Sequence, residues 1–385
     1  MYYFDHAASS YPKPASVAEA MKEAVNDYGA NPGRSGHRLS KTAFDKVEQT
    51  RKLINEMFGG FGKDRVLFSL NATTALNQAV EGLQWEAGDR IIATDLEHNA
   101  VRRPLERLKK ERGVEIDFVY PENPQNSWAE VISESLCENT KLVIVTHGSN
   151  VTGECLPIED IGAAVKNHPA LFCVDASQTA GVVPIDAENN NLDMLAFPGH
   201  KGLLGPQGTG VLLVREGIDL RPLIAGGTGS RSEDAEQPNE WPIGWESGTM
   251  NTPGIAGLAA GIAEVNRLGP AEIRRHENEL ACQFILSLEQ LSGVEIIGPG
   301  AVPERLGVVS FRIDGVDSNE LGLILDSYYN TAVRAGLHCS PLTHARYGTV
   351  ETGLVRVSFG VYHSSSDVDY LTEAIVEIQQ GLQGN

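Results

Sequence analysis

The 385-residue sequence is poor in cysteine, holding five: Cys137, Cys155, Cys173, Cys282 and Cys339. An odd, scattered set without a Cys-x-x-Cys pair argues against a disulfide framework or a zinc knuckle, and for a reducing compartment. Long apolar runs are missing too. No uninterrupted stretch approaches the ~20 residues that a bilayer-spanning helix needs. Basic residues are outnumbered, 31 Lys and Arg against 51 Asp and Glu, so the net charge is 31 − 51 = −20. That balance excludes nucleic acid and anionic membrane surfaces as natural partners. The start, MYYFDHAASSYPKP, lacks the basic region and apolar core of a secretory signal, and the expected location is the cytoplasm. No Gly-x-Gly-x-x-Gly follows a strand near an acidic residue, which removes the dinucleotide-binding reading. Internal repeats and low-complexity tracts are absent.

What is present is an ordinary enzyme composition, 41% hydrophobic with 40 glycines, in a chain long enough for two domains. The centre of the pattern is Leu171 to Val214. Apolar runs at Leu171 to Val174, Met194 to Phe197 and Gly210 to Val214, each closed by turn residues, predict strands buried on both faces of a sheet. Asp175 and Lys201 would then lie just beyond the carboxyl ends of neighbouring strands, where open α/β sheets bind ligands. Pyridoxal phosphate chemistry asks for such a pair: an amine for the cofactor aldehyde and a carboxylate for the pyridine nitrogen. An Asp and a Lys at strand ends are also ordinary surface residues. Gln178 follows at a spacing that suits a bond to the ring oxygen. Gly199 and Gly202 flank His200-Lys201, so backbone can approach a cofactor closely.

In chain order, helices are predicted at about Ala15 to Tyr28 and Lys41 to Phe58, with a Pro- and Gly-rich loop at 31–37 between them. Strands follow at Arg65 to Phe68, Ile91 to Thr94, Glu115 to Val119 and Leu142 to Thr146. Asn71-Ala72-Thr73-Thr74 reads as a strand-to-helix anion cradle or as a plain N-cap. His98 after a strand end suits stacking on a flat ring, and Asn150 suits a polar contact or a Gly-containing turn. His37 is a loop histidine, in the site or simply solvated. From about Ala271, strands at Val294 to Ile297, Val308 to Ile313 and Leu354 to Ser358 alternate with helices near Asn319 to Tyr328 and from Asp367. These predict a small α+β domain. Cys339 has His338 beside it and Arg334 nearby, neighbours that favour the nucleophilic thiolate, although most cysteines are small buried hydrophobes.

Taken together, YFDHAAS with RSGHRLS, the Ala72-Thr73-Thr74 cradle, EHNAV, HGSNVTG, DASQ, PGHKGLLGPQGTG and the Arg334 to Leu342 loop resemble the class V aminotransferases of fold-type I. Within them the likeness is to the cysteine desulfurase and selenocysteine lyase family. The short cysteine loop is similar to that of the Suf-type (group II) branch. The resemblance covers nearly the whole chain. It implies a mainly parallel seven-stranded sheet in a large pyridoxal 5'-phosphate domain at 15–255. A smaller α+β domain would combine 256–385 with residues 1–14.

By the same resemblance Ala72 and Thr73 hold the cofactor phosphate, and Thr249 does so across a homodimer interface. His98 stacks on the ring and is a proton-transfer candidate, Asn150 and Gln178 meet the ring oxygen, Asp175 the ring nitrogen, and His200 flanks the aldehyde lysine, Lys201. His6 and His37 lie near the site. Arg356 clamps the substrate carboxylate, Arg334 assists, and Cys339 receives the sulfur of L-cysteine before a small acceptor protein collects it. Two positions depart from the family pattern: Pro198 replaces a phosphate-binding serine, and Leu337 replaces a second histidine. An aminotransferase, epimerase or selenocysteine lyase acting on another amino acid is the alternative. Of these, the aminotransferase and epimerase need Lys201 and Asp175 but not Cys339.

Overall fold

The computed structural model describes residues 1–33, 35–123 and 125–383. Its largest sheet has seven strands in the spatial order Val66–Ser69, Gly210–Val214, Met194–Pro198, Leu171–Asp175, Thr140–Thr146, Arg90–Thr94 and Glu115–Val119. The five strands from Met194–Pro198 to Glu115–Val119 pair in parallel. Gly210–Val214 runs antiparallel to both of its neighbours. The sheet is therefore mainly parallel, as the apolar runs predict.

Side-chain alternation explains why those runs are continuous. Ile92, Val143, Val145, Phe172, Val174, Leu195 and Phe197 pack on one face with Ile54 and Phe58 from the helix Arg38–Met57 and its end. Ile91, Ala93, Leu142, Ile144, Cys173, Met194 and Ala196 pack on the other, against Leu76 and Ala79 of the helix Ala72–Glu81 and Leu105 of Asn99–Arg112. A strand with helices over both faces must be apolar at odd and even positions alike.

The second sheet is antiparallel, ordered Arg334–Gly336, Leu354–Ser358, Val308–Ile313 and Val294–Ile297. It buries Val309, Phe311, Val355 and Val357 against Phe284 and Leu371 of the helices Pro270–Leu288 and Ser365–Gln383. The N-terminal segment belongs with this core. Tyr2–Tyr3 pairs with Thr331–Ala332, Asp5 bridges Ser358, and Phe4 is fully buried in the same cluster. The short strand Arg334–Gly336 escapes the sequence reading because three residues carry too little pattern to score.

One buried ion pair fixes the loop that carries Thr249. Arg51, on the helix Arg38–Met57, meets both carboxylate oxygens of Glu246, and Glu246 Oε1 also accepts the Phe68 amide at 2.6 Å. Glu48 holds Arg51 Nε at 3.1 Å. Removing one member of a buried pair strands the other's charge. Glu246→Ala is expected to destabilise the chain by about 3 kcal/mol, the low end of the usual cost because Glu48 remains. Denaturant melts measure this, and a loss below about 0.5 kcal/mol would mean that the pair is solvated.

Candidate active site

The carboxyl edge of the large sheet carries His98, Asn150, Asp175 and Lys201, each just past or at the end of its strand. Asp175 ends its strand and is buried. Ser177 donates to Asp175 Oδ1 through its amide and its hydroxyl, and Oδ2 accepts no bond among the described residues. Burial pushes the carboxyl above its ordinary range, against the Ser177 bonds and the nearby Lys201 charge. Lys201 lies three residues beyond the adjacent strand. Burial lowers its amine to about 8; Asp175 opposes the shift, while Arg356 and Arg334 reinforce it. An amine so placed is largely free of its extra proton in mildly alkaline solution, as condensation with an aldehyde requires.

The glycines beside the lysine are packed closely against the rest of the chain. A Cβ on Gly202 would lie 2.5 Å from the Ala180 carbonyl oxygen, and one on Gly199 would lie 2.3 Å from Thr209 Oγ1. Their lack of a side chain lets Gly202 pack on the Ala180 backbone and Gly199 on the Thr209 side chain, a packing role that adjacency to the lysine did not reveal. Gln178 shares a cavity with Lys201, His6 and Ser10 and donates Nε2 to the Ala7 carbonyl at 3.0 Å. His200 Nδ1 is buried without a partner among the described residues, and burial lowers its imidazole to about 4, with Lys201 and Lys13 adding to the shift.

The cradle and the N-cap are the same structure. Asn71 caps the helix Ala72–Glu81 by accepting the Thr74 amide. Ala72 and Thr73, at the first two helical positions, then present amides that find no protein acceptor among the described residues. His98 caps the helix Asn99–Arg112 through Nδ1, which accepts the Ala100 amide at 3.0 Å. Burial first, then Lys201, Arg334, Arg356 and Arg103, lowers its imidazole to about 4. It is a neutral ring with its proton on Nε2. Thr73, His98, Arg103 and Cys339 line one open pocket.

Asn150 is committed more deeply than a turn residue. It donates Nδ2 to the His338 carbonyl at 2.7 Å, accepts the Ser340 hydroxyl at 2.7 Å, and gives its own carbonyl to Arg356 Nη1 at 3.1 Å. One amide hydrogen remains for a ligand oxygen. Arg356 is fully buried, holds Asp5 at 2.7 Å, and leaves Nε without a partner among the described residues. Directly opposite it on the neighbouring strand stands Arg334. Like charges placed across strands are unfavourable, and a fold keeps such a pair where anions arrive.

Arg334 Nη2 reaches Cys339 Sγ at 3.5 Å. The expectation that His338 also favours the thiolate does not hold. Its ring is buried, one nitrogen meets the Arg334 carbonyl and the other His344. Burial and the Arg356 charge push it far below its ordinary range, so it carries no positive charge toward the sulfur. Sequence adjacency set it beside the cysteine, but the backbone turn buries it.

Two predicted residues stand apart. His37 is exposed and caps Arg38–Met57 by accepting the Ser40 amide. Thr249 is exposed on an apolar groove with Leu70, Leu223, Ile224 and Met250, away from the Lys201 cavity. One residue of the site wall is missing from the sequence reading. Glu97 is fully buried, accepts Thr94 Oγ1 at 2.6 Å and the Thr146 amide at 2.7 Å on Oε1, and leaves Oε2 unpartnered among the described residues. Thr146 is the register partner of Asp175. An acidic residue between apolar Leu96 and His98 was the available signal.

The open donors fit pyridoxal phosphate. Free helix amides and an orphaned imidazole nitrogen suit a phosphate, a buried carboxylate with one unused oxygen suits a pyridinium, and Lys201 suits the aldehyde.

Glu97 generates a stability prediction. Burial raises its carboxyl from 4.5 to about 8, with the Asp175 charge adding to the shift against hydrogen bonds from Thr94 and Thr146. In that window the folded chain keeps a proton that the unfolded chain has released. Stability present below 4.5 is therefore lost as pH rises toward 8, at up to about 1.4 kcal/mol per pH unit. Glu97→Gln removes this titration, so its melting temperature relative to the native protein should climb between about pH 5 and 8. Calorimetry across that range decides, and a constant difference would mean an ionised Glu97.

Comparison with known proteins agrees with this geometry. The model of the family "Aminotransferase class-V" matches residues 2–371. A probable cysteine desulfurase of Pyrococcus abyssi is 35% identical over 100% of this chain and 95% of its own length. Another from Methanothermobacter thermautotrophicus is 33% identical over 98% of this chain and 94% of its own. The apo structure of a cysteine desulfurase from Thermococcus onnurineus superposes with a TM-score of 0.93 at 34% identity, covering 99% of this chain and 95% of that one. With the fold-type I sheet, the lysine and aspartate at its carboxyl edge and a family match over nearly the full length, this chain belongs to the class V aminotransferase family of pyridoxal-phosphate enzymes.

Proposed function

We propose that the chain is a cysteine desulfurase, converting L-cysteine to L-alanine and carrying the released sulfur as a persulfide on Cys339. The observation that carries this reading is the Cys339 thiol. It stands in the same pocket as Thr73 and His98 and takes a hydrogen bond from Arg334. A transaminase needs no thiol there. The full-length likeness to cysteine desulfurases supports the same conclusion.

When bound, pyridoxal phosphate supplies the aldehyde that takes the substrate amine and a ring that withdraws electrons from its α-carbon. The chain supplies the rest. The Ala72 and Thr73 amides would hold the phosphate, and His200 Nδ1, without a partner among the described residues, would be a further donor for it. Asp175 Oδ2 holds the proton of the ring nitrogen. His98, a neutral imidazole, would stack on the ring, and Gln178 with the remaining Asn150 N–H would bond the ring oxygen. Arg356, oriented by Asp5 and the Asn150 carbonyl, binds the substrate carboxylate. Lys201 moves the α-proton as a free amine. The Cys339 thiolate, steadied by Arg334, attacks the substrate sulfur. A sulfur–sulfur bond forms as the carbon–sulfur bond breaks, and the carbon takes a proton to give alanine.

Thr249 and the exposed apolar residues Leu70 and Ile224 around it support a homodimer in which each chain completes the partner's phosphate site. The open pocket at Cys339 supports a small protein or thiol as sulfur acceptor. The pairing of Tyr2–Tyr3 with Thr331–Ala332 supports residues 1–14 and 256–385 as one domain beside 15–255. Five free cysteines support a cytoplasmic location, and no described helix is long and apolar enough to cross a membrane.

Alanine and sulfide release from L-cysteine, with reductant present, tests the function. Cys339→Ala is expected to lose more than about 99% of turnover, at least about 2.7 kcal/mol of transition-state stabilisation, while retaining cofactor absorbance. Undiminished turnover in Cys339→Ala would reduce that residue to packing. No cysteine turnover by the native protein would favour an aminotransferase or epimerase.

A further inference from the structure

The loop that carries Cys339 is held against its own backbone preference. His338 has φ 52° and Cys339 φ 60°, two successive side-chain-bearing residues in the left-handed region. Such residues are strained and persist where the surroundings over-determine them. Some of the restraint is plain: Asn150 on the His338 carbonyl, and the Asn99 amide on the Cys339 carbonyl at 2.7 Å. A second restraint lies behind the loop. His338 Nε2 meets the Arg334 carbonyl at 3.3 Å, His338 Nδ1 meets His344 Nε2 at 3.4 Å, and His344 Nδ1 meets Thr349 Oγ1 at 2.8 Å. All three side chains are buried.

The direction of this chain is fixed from one end. A carbonyl only accepts, so His338 Nε2 donates to Arg334. A neutral His338 then accepts at Nδ1, so His344 donates from Nε2, and a neutral His344 accepts at Nδ1 from the Thr349 hydroxyl. Burial lowers both imidazoles, which keeps them neutral. The chain ends on the backbone of the residue whose guanidinium reaches the sulfur.

We propose that His344, with Thr349 behind it, is a positioning residue of the desulfurase site: by setting the His338 tautomer it fixes the Arg334 backbone and aims the Arg334 guanidinium at Cys339 Sγ. The inference rests on Cys339 as the sulfur-accepting nucleophile and adds a residue five positions further along, on the helix Pro341–Arg346. The charged and titratable groups around the sulfur are Arg334 and Arg356 on the paired strands and His98, Arg103 and Arg107 from the helix Asn99–Arg112 and its cap. Only Arg334 is connected to His344 through the chain.

The test is the alkylation rate of Cys339 by iodoacetamide in cofactor-loaded protein without substrate, at one fixed pH, read by peptide mass spectrometry. Alkylation reports the thiolate, so the result stands whether or not Cys339→Ala abolishes turnover. His344→Phe keeps the ring and removes both hydrogen bonds, and should slow alkylation about tenfold. His344→Gln, whose amide can donate and accept in the same positions, should restore it to within about threefold. Arg334→Gln should slow it also, and adding His344→Phe to Arg334→Gln should change nothing more. A native rate in His344→Phe, or an equal loss in the Arg334→Gln background, would overturn the proposal. Should His344→Phe fail to fold, Thr349→Val carries the test: slower alkylation that vanishes in Arg334→Gln supports the proposal, and a native rate overturns it.

Discussion

The site depends on Asn150. From the loop after the strand Thr140–Thr146 it reaches three partners far away in sequence: the His338 carbonyl, the Ser340 hydroxyl and Arg356 Nη1. The large sheet positions the lysine and aspartate, and the antiparallel sheet brings the two arginines and the cysteine. Asn150 is where the two sets are locked into register. A buried amide with both ends satisfied is costly to disturb, because any shift leaves polar atoms unpaired. The left-handed turn at His338 and Cys339 is held partly through this contact.

Electrostatics follow from that closure. Arg334 and Arg356 face each other across paired strands, and Asp5 answers only one of them. Burial, joined by their combined field, lowers both Lys201 and His98, so the imidazole stays neutral at neutral pH and the amine loses its extra proton in mildly alkaline solution. The same field awaits two anions of the proposed reaction, the substrate carboxylate and the thiolate. Glu97 stays out of it by remaining protonated at neutral pH on the amide of Thr146, beside Asp175, where a second buried negative charge would be repelled.

Much of this was legible in the sequence. The strands Leu171–Asp175, Met194–Pro198 and Gly210–Val214 come from continuous apolar runs because both sheet faces are covered by helices. Lys201, Asp175 and Arg356 stand in motifs whose residue types the chemistry demands. What was hidden depends on distant pairing. Nothing local to Asn150 says that its amide serves a loop 188 residues away. His338 looked like a partner for the thiol because it is adjacent, yet two left-handed residues turn its ring inward. The opposition of Arg334 and Arg356 needs the register of a three-residue strand. Glu97 was passed over because a lone carboxylate between Leu96 and His98 has the pattern of an exposed residue.

The central claim is that Cys339 takes sulfur from a substrate held by Arg356 and Lys201. A single turnover tests it directly, with native protein in excess over L-cysteine, without reductant, followed by peptide mass analysis. The account predicts the Cys339 peptide one sulfur atom heavier, with alanine formed in equal amount. Alanine formed with an unmodified Cys339, or the added sulfur on Cys137, Cys155 or Cys282 instead, would contradict it.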